Sequence, residues 1–169
     1  MRVELKRLTT NCRRSAGVAI LAVVICAIWG ASFAVDRLPE GIFLQNLIGS
    51  WKGQAVRTPV GPAPYDITFA RIESGAVAGT ANPGAALHHW RFFMVAGQMR
   101  LRFLSTFRGN TNPTWLYTEE VSSVGAFFRG RDLDHLTVKL ELRANELRID
   151  IFLHDAPHVS IRLAPADAG

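Results

Sequence analysis

The chain has 169 residues and a formal net charge of +5 at pH 7. Residues 1–34 hold five basic residues against one acidic residue, so they account for +4 of that charge and leave +1 for the rest. A nearly neutral domain has little electrostatic attraction for phosphate backbones, which argues against nucleic acid as a partner. The length beyond residue 34 is enough for one hydrophobic core.

The N-terminal segment has the pattern of an export leader. Basic residues precede an uncharged stretch from Ser15 to Val35, and the small residues Ser32 and Ala34 have the spacing of a signal-peptidase site. We therefore predict a hydrophobic leader helix in residues 1–34, with cleavage after Ala34. The alternative is an uncleaved signal anchor, because 21 uncharged residues can also span a bilayer.

Both readings of the leader predict a periplasmic or secreted domain, with membrane contact only through the N-terminal segment if it is uncleaved. Cys12 and Cys26 both lie in the leader. The exported domain therefore has no internal disulfide and no thiolate metal site, so its stability has to come from packing.

Beyond the leader, we expect a linker and a short lead-in over residues 35–46, a single domain over 47–165 and a tail of 166–169. Residues 42–48 have apolar positions suited to a helical turn. From Trp51 onward the apolar period is two, and turn formers separate the short runs. We expect ten strands, at residues 51–58, 65–73, 76–81, 89–96, 99–107, 114–119, 124–129, 136–142, 147–153 and 158–163.

The connections between these strands are nearly all of hairpin length, which favours an up-and-down barrel over a sandwich with long crossovers. We therefore predict an all-β fold, an antiparallel barrel of about 8–10 strands. Such a barrel has room for its own side chains or for one small ligand.

The run Gly49-Ser50-Trp51-Lys52-Gly53 resembles the opening strand of the calycin superfamily, which includes lipocalins, avidins and nitrobindin-like haem barrels. Gly53, the second glycine of this run, follows the tryptophan by two residues, and this feature makes the run more similar to the nitrobindin-like opening. The resemblance implies a barrel with a tryptophan packed across one closed end, which gives Gly49 and Trp51 a structural role. We expect the interior of this exported barrel to bind a ligand.

We predict that the ligand is a small apolar or amphiphilic molecule bound in the interior. The expected lining consists of aromatic and aliphatic residues of the strands, namely Phe69, Phe92, Met94, Phe103, Tyr117 and Phe127. A one-residue slip of register would exchange inward and outward residues, so strand parity decides each of these assignments. The arginines that alternate with apolar residues at 99–104 are expected outside the barrel.

The histidines suggest an alternative function for the barrel. It would bind haem, or act as an isomerase or lyase, through an imidazole in its interior. His89 and His154 are the candidate cofactor-binding residues, although the neighbours His88 and His89 point to opposite faces and at most one lies inside. The sequence has no Gly-x-Ser-x-Gly motif, no His-Glu-x-x-His motif and no phosphate-binding loop, and we name no catalytic and no metal-binding residue. A third reading is an envelope interaction domain without a small-molecule ligand.

Overall fold

A computed structural model describes residues 38–131 and 135–167. In this part of the chain, the helix α1 (Pro39–Leu47) precedes ten strands. The strands are β1 (Gly49–Arg57), β2 (Ala63–Arg71), β3 (Val77–Ala81), β4 (His88–Val95), β5 (Gln98–Ser105), β6 (Thr114–Ser122), β7 (Gly125–Gly130), β8 (Leu136–Arg143), β9 (Glu146–Leu153) and β10 (Ala156–Pro165).

The strands form one closed antiparallel barrel in which each strand pairs with its neighbours in the chain, and β1 pairs with β10. The up-and-down topology and the strand number predicted from the hairpin spacing are thereby confirmed. A sandwich is excluded because no edge is left open between β1 and β10. The predicted leader lies outside the described residues, and no helix within 38–131 and 135–167 is long and apolar enough to span a bilayer.

Helix α1 closes one end of the barrel, where β6 finishes and β1 begins. Phe43, Leu44 and Leu47 are buried in the same cluster as the barrel core. The indole Nε1 of Trp51 donates a hydrogen bond to the carbonyl of Leu47 at 3.0 Å, so it satisfies a carbonyl in the last turn of the helix. The buried Trp51 therefore joins the helix to the first strand.

Gly49 and Gly53 in the opening strand are each required for a different structural reason. Gly49 has φ +147°, in the region where other residues are strained, and it turns the chain from α1 into β1. At Gly53 a Cβ atom would lie inside contact distance of the backbone carbonyl of Arg162 in β10. Only glycine therefore allows β1 and β10 to approach as they do.

We predict that Gly53→Ala destabilises the barrel by about 1–3 kcal/mol, because β10 backbone has to move to admit the methyl group. The change is measured as a lower midpoint of urea unfolding. Gly125→Ala is the matched control, since its Cβ would lie 3.2 Å from the nearest atom, the carbonyl oxygen of Leu140. Equal midpoints for the two variants would contradict close approach at Gly53.

Candidate functional site

The end of the barrel away from α1 is open and carries a cavity of about 210 Å³. Its wall comes from the mouth ends of the strands, with Phe103, Leu136, Ile151 and Val159 among the apolar lining side chains. The polar groups that reach it include His88, Ser105 and Thr114. The cavity is therefore a mostly apolar space with a few hydrogen-bonding groups.

The half of the barrel nearer α1 is filled by its own side chains. Phe69, Phe92 and Phe128 are at most 1% exposed and pack ring against ring, with centroids 6.0 Å apart for the first pair and 5.9 Å for the second. Phe69 lies so close to Gly79 that a Cβ there would be 2.7 Å from its ring. The cavity described above therefore lies on the mouth side of this packed half.

A hydrogen-bonded aromatic cluster of Tyr65, His88, Trp90 and Phe103 forms the boundary between the filled half and the cavity. The indole Nε1 of Trp90 donates to the hydroxyl oxygen of Tyr65 at 3.0 Å, and this oxygen lies 3.1 Å from Nδ1 of His88. Phe103 packs against Trp90 with centroids 4.5 Å apart and against His88 at 5.5 Å. The imidazole is therefore held on two sides.

The hydrogen bonds of this cluster select one tautomer of His88. An indole N–H can only donate, so Tyr65 accepts from Trp90 and has its own hydroxyl hydrogen left to place. Nδ1 of His88 is the acceptor within reach, and a buried hydroxyl hydrogen without an acceptor would cost about 1–3 kcal/mol. His88 thus carries its proton on Nε2, which makes Nε2 the donor of this ring.

Burial also keeps His88 neutral. Desolvation, together with the neighbouring His89, lowers the pKa of His88 from 6.5 to about 4. Burial raises the pKa of the Tyr65 hydroxyl above its ordinary value, so this group keeps its proton. At neutral pH the mouth cavity therefore presents an uncharged hydrogen-bond donor on an apolar surface.

The structure divides the six predicted lining residues into three groups. Phe103 lines the cavity, whereas Phe69 and Phe92 lie in the packed half and Met94 packs against the core at the closed end. Tyr117 and Phe127 lie on the outer face, which corrects their predicted inward direction. Their neighbours Leu116 and Phe128 are fully buried and take the interior positions instead.

The predicted interior positions of His89 and His154 are wrong. The inward member of the neighbouring pair is His88, whereas His89 lies on the outer face, where its Nδ1 is 3.2 Å from the Thr80 hydroxyl oxygen. His154 is exposed in the turn between β9 and β10, with its ring centroid 5.9 Å from that of His135. Within residues 38–131 and 135–167, no three His, Cys, Asp or Glu side chains gather as a metal site.

Trp90 and Tyr65 were not identified as site residues by the sequence reasoning, although a signal was present. In β4 the charged Arg91 marks the outward parity, so Trp90 and Phe92 have the inward parity, and His88 shares it. The apolar side of β4 therefore already included His88. The partner on β2 could not be found in this way, because the contact spans 23 positions of sequence.

In comparisons with known proteins, no protein-family model, curated protein or solved structure matches this chain.

We predict that Tyr65→Phe lowers the free energy of unfolding by about 1–3 kcal/mol, because it leaves Trp90 Nε1 and His88 Nδ1 without their shared partner. Urea unfolding at pH 7 measures the loss. Tyr117→Phe is the matched control, an outer-face tyrosine whose ring stacks with Arg100, and its effect should stay within about 0.5 kcal/mol. Equal losses in the two variants would refute the buried network.

The lowered pKa of His88 predicts a pH dependence of stability. Between pH 6.5 and about 4 the unfolded chain binds a proton at this histidine while the folded barrel does not, so acid favours unfolding. Stability from His88 should be complete above pH 6.5, decrease by up to about 3 kcal/mol as pH falls, and level off below pH 4.

This pH effect is isolated by subtracting the unfolding free energies of His88→Asn from those of the wild type at each pH. The subtraction removes the contribution of carboxylates, which titrate in both proteins. A difference that stays constant between pH 7 and 4 would show that the histidine is not held neutral.

Proposed function

We propose that this protein is an exported, calycin-like barrel that binds a compact apolar molecule with one hydrogen-bond acceptor. The observation that carries the proposal is the neutral, inward-facing His88 at the mouth cavity, with Nδ1 occupied by Tyr65 and Nε2 left as a donor. A carbonyl, hydroxyl or ether oxygen of the ligand would accept from Nε2, while its apolar part would contact Phe103 and Ile151.

The size of the cavity supports a compact ligand. An apolar protein cavity of about 150 Å³ accepts benzene, and the cavity here has about 210 Å³. Sites for drug-sized ligands and cofactors usually have about 300–1,000 Å³. A ligand a little larger than a single aromatic ring is therefore the best match, and a longer molecule would have to extend through the mouth.

Membership of the calycin superfamily is part of the proposal. It is supported by the Gly49-Trp51-Gly53 opening, by the tryptophan at the closed end, and by the closed meander of ten strands. Lipocalins have eight strands, so the strand number favours a more distant branch of the superfamily. The leader pattern supports a periplasmic or secreted location.

Haem is a weaker candidate, because the residues around His88 do not suit an iron ligand. Ligation through Nε2 would require Nδ1 to donate a proton to Tyr65, which already accepts from Trp90. The Tyr65 hydroxyl hydrogen would then need another acceptor. A Soret band that disappears in His88→Ala would nevertheless favour haem over the proposed ligand class.

A catalytic role for His88, as in an isomerase or lyase, is also less well supported. A general base is most effective when its pKa lies near the operating pH, and the pKa of His88 is lowered to about 4. Such an imidazole remains deprotonated at neutral pH but is a weak base. Ligand orientation is therefore the role that we assign to it.

We predict that the barrel binds acetophenone about fivefold more tightly than isopropylbenzene, measured by calorimetry or by ligand NMR with the full chain. The two molecules have nearly the same shape, but only acetophenone has a carbonyl to accept from His88 Nε2. The expected ratio corresponds to one net hydrogen bond of about 1 kcal/mol. His88→Phe should remove the preference.

A second variant tests the location. Ser105 lies at the mouth end of β5 and lines the cavity, so Ser105→Phe should fill the space and weaken both ligands at least tenfold. Ser74→Phe, in the exposed turn between β2 and β3 at the opposite end, is the control and should bind as the wild type does. Binding that Ser105→Phe leaves unchanged would contradict a mouth site.

A further inference from the structure

The outer side of β4, β5 and β6 carries a surface of alternating arginines and aromatic rings, which we name the arginine face. It consists of Arg91, Phe93, Arg100, Arg102, Trp115 and Tyr117. In one row Arg91 pairs across strands with Arg102 and Arg102 with Trp115; in the next, Phe93 pairs with Arg100 and Arg100 with Tyr117. The pattern is continuous over three strands.

The guanidinium groups of this face lie over the aromatic rings. Arg100 is 5.0 Å from the Tyr117 centroid, and Arg102 is 5.9 Å from that of Trp115. Arg131, just beyond β7, covers the same Tyr117 ring at 4.0 Å. These contacts hold the positive groups in fixed positions along the sheet.

Among the described residues, the three arginines of β4 and β5 on the arginine face have no carboxylate partner. Arg91 and Arg102 stand directly opposite each other on neighbouring strands, an arrangement of like charges that costs stability. Among residues 38–131 and 135–167, no carboxylate forms an ion pair with Arg91, Arg100 or Arg102. An anion bound from outside would relieve this repulsion and accept paired guanidinium hydrogen bonds.

The form of the surface favours phosphate groups at a membrane over a nucleic acid. Base stacking requires open aromatic faces, and the rings of Tyr117 and Trp115 already have guanidinium groups over them. Trp115 is 42% exposed, and an indole beside arginines suits the headgroup region of a bilayer.

With the uncleaved signal anchor, the alternative interpretation of the leader, the chain is attached to a membrane. Its uncharged run ends at Val35, and α1 begins at Pro39. We propose that the arginine face docks the exported barrel on an anionic phospholipid surface, through contacts additional to those of the N-terminal segment.

The experiment uses the full chain with Trp29→Phe, inserted through its leader into vesicles of phosphatidylcholine alone or with 30% phosphatidylglycerol. Trp51 is 8% exposed and Trp90 is 1% exposed, so acrylamide quenching then reports mainly on Trp115. We expect quenching of Trp115 to be at least twofold weaker on the anionic vesicles. Raising the salt to 0.5 M should restore it, because salt screens surface charges.

Arg91→Gln with Arg102→Gln should abolish the protection, since two basic residues at an anionic surface are together worth about 30-fold in binding. Arg57→Gln with Arg71→Gln is the matched control, because it removes two exposed arginines from β1 and β2, and protection should persist. The circular dichroism spectrum and the urea midpoint confirm that both double variants are folded.

Equal quenching on both vesicle types would overturn the proposal. Protection by millimolar inorganic phosphate on neutral vesicles would identify a free anion as the ligand and would also overturn it. Equal loss of protection in the two double variants would show a general charge effect and no specific face. The mouth cavity is not involved in any of these outcomes, so they leave the proposed ligand binding unaffected.

Discussion

The interior of this protein depends on the pairing of β1 with β10. The register runs from Trp51 opposite Pro165 to Ala55 opposite Ile161, and only a glycine at position 53 permits the close approach. Ala55 and Val159, from these two strands, both line the mouth cavity. Separating β1 from β10 would expose two sheet edges and would also remove part of the cavity wall. Barrel closure and the shape of the cavity therefore depend on the same strand pair.

The interior is divided into a packed half and an open half, and the aromatic cluster of Tyr65, His88, Trp90 and Phe103 is the boundary. The rings of Phe69, Phe92 and Phe128 fill the packed half, and the cavity lies on the mouth side of the cluster. A polar atom at such a boundary needs a hydrogen-bond partner from a core side chain, because the apolar core supplies no water. Trp90 and Tyr65 meet that requirement and leave one imidazole nitrogen for the cavity.

The period-two pattern and the short turns were sufficient to predict the barrel, its topology and its strand number, because alternation and hairpin spacing are local properties of the chain. The site was predicted less well. Adjacent Phe127 and Phe128 are chemically equal, so parity there is decided by tertiary pairing of β7 with its neighbours. In β4 the charged Arg91 indicates the outward parity, and this places His88 inside. The Tyr65 contact joins distant strands and could not be read from either strand alone.

Alternation also allows one strand to serve two surfaces. In β5, Met99, Leu101 and Phe103 face the interior, and Phe103 reaches the cavity, while Arg100 and Arg102 stand on the arginine face. A change of register by one residue would place the arginines in the core and the apolar residues in solvent. The buried charges would be far more costly than the repulsion between Arg91 and Arg102. The same inward packing that shapes the cavity therefore holds the arginines outside the core.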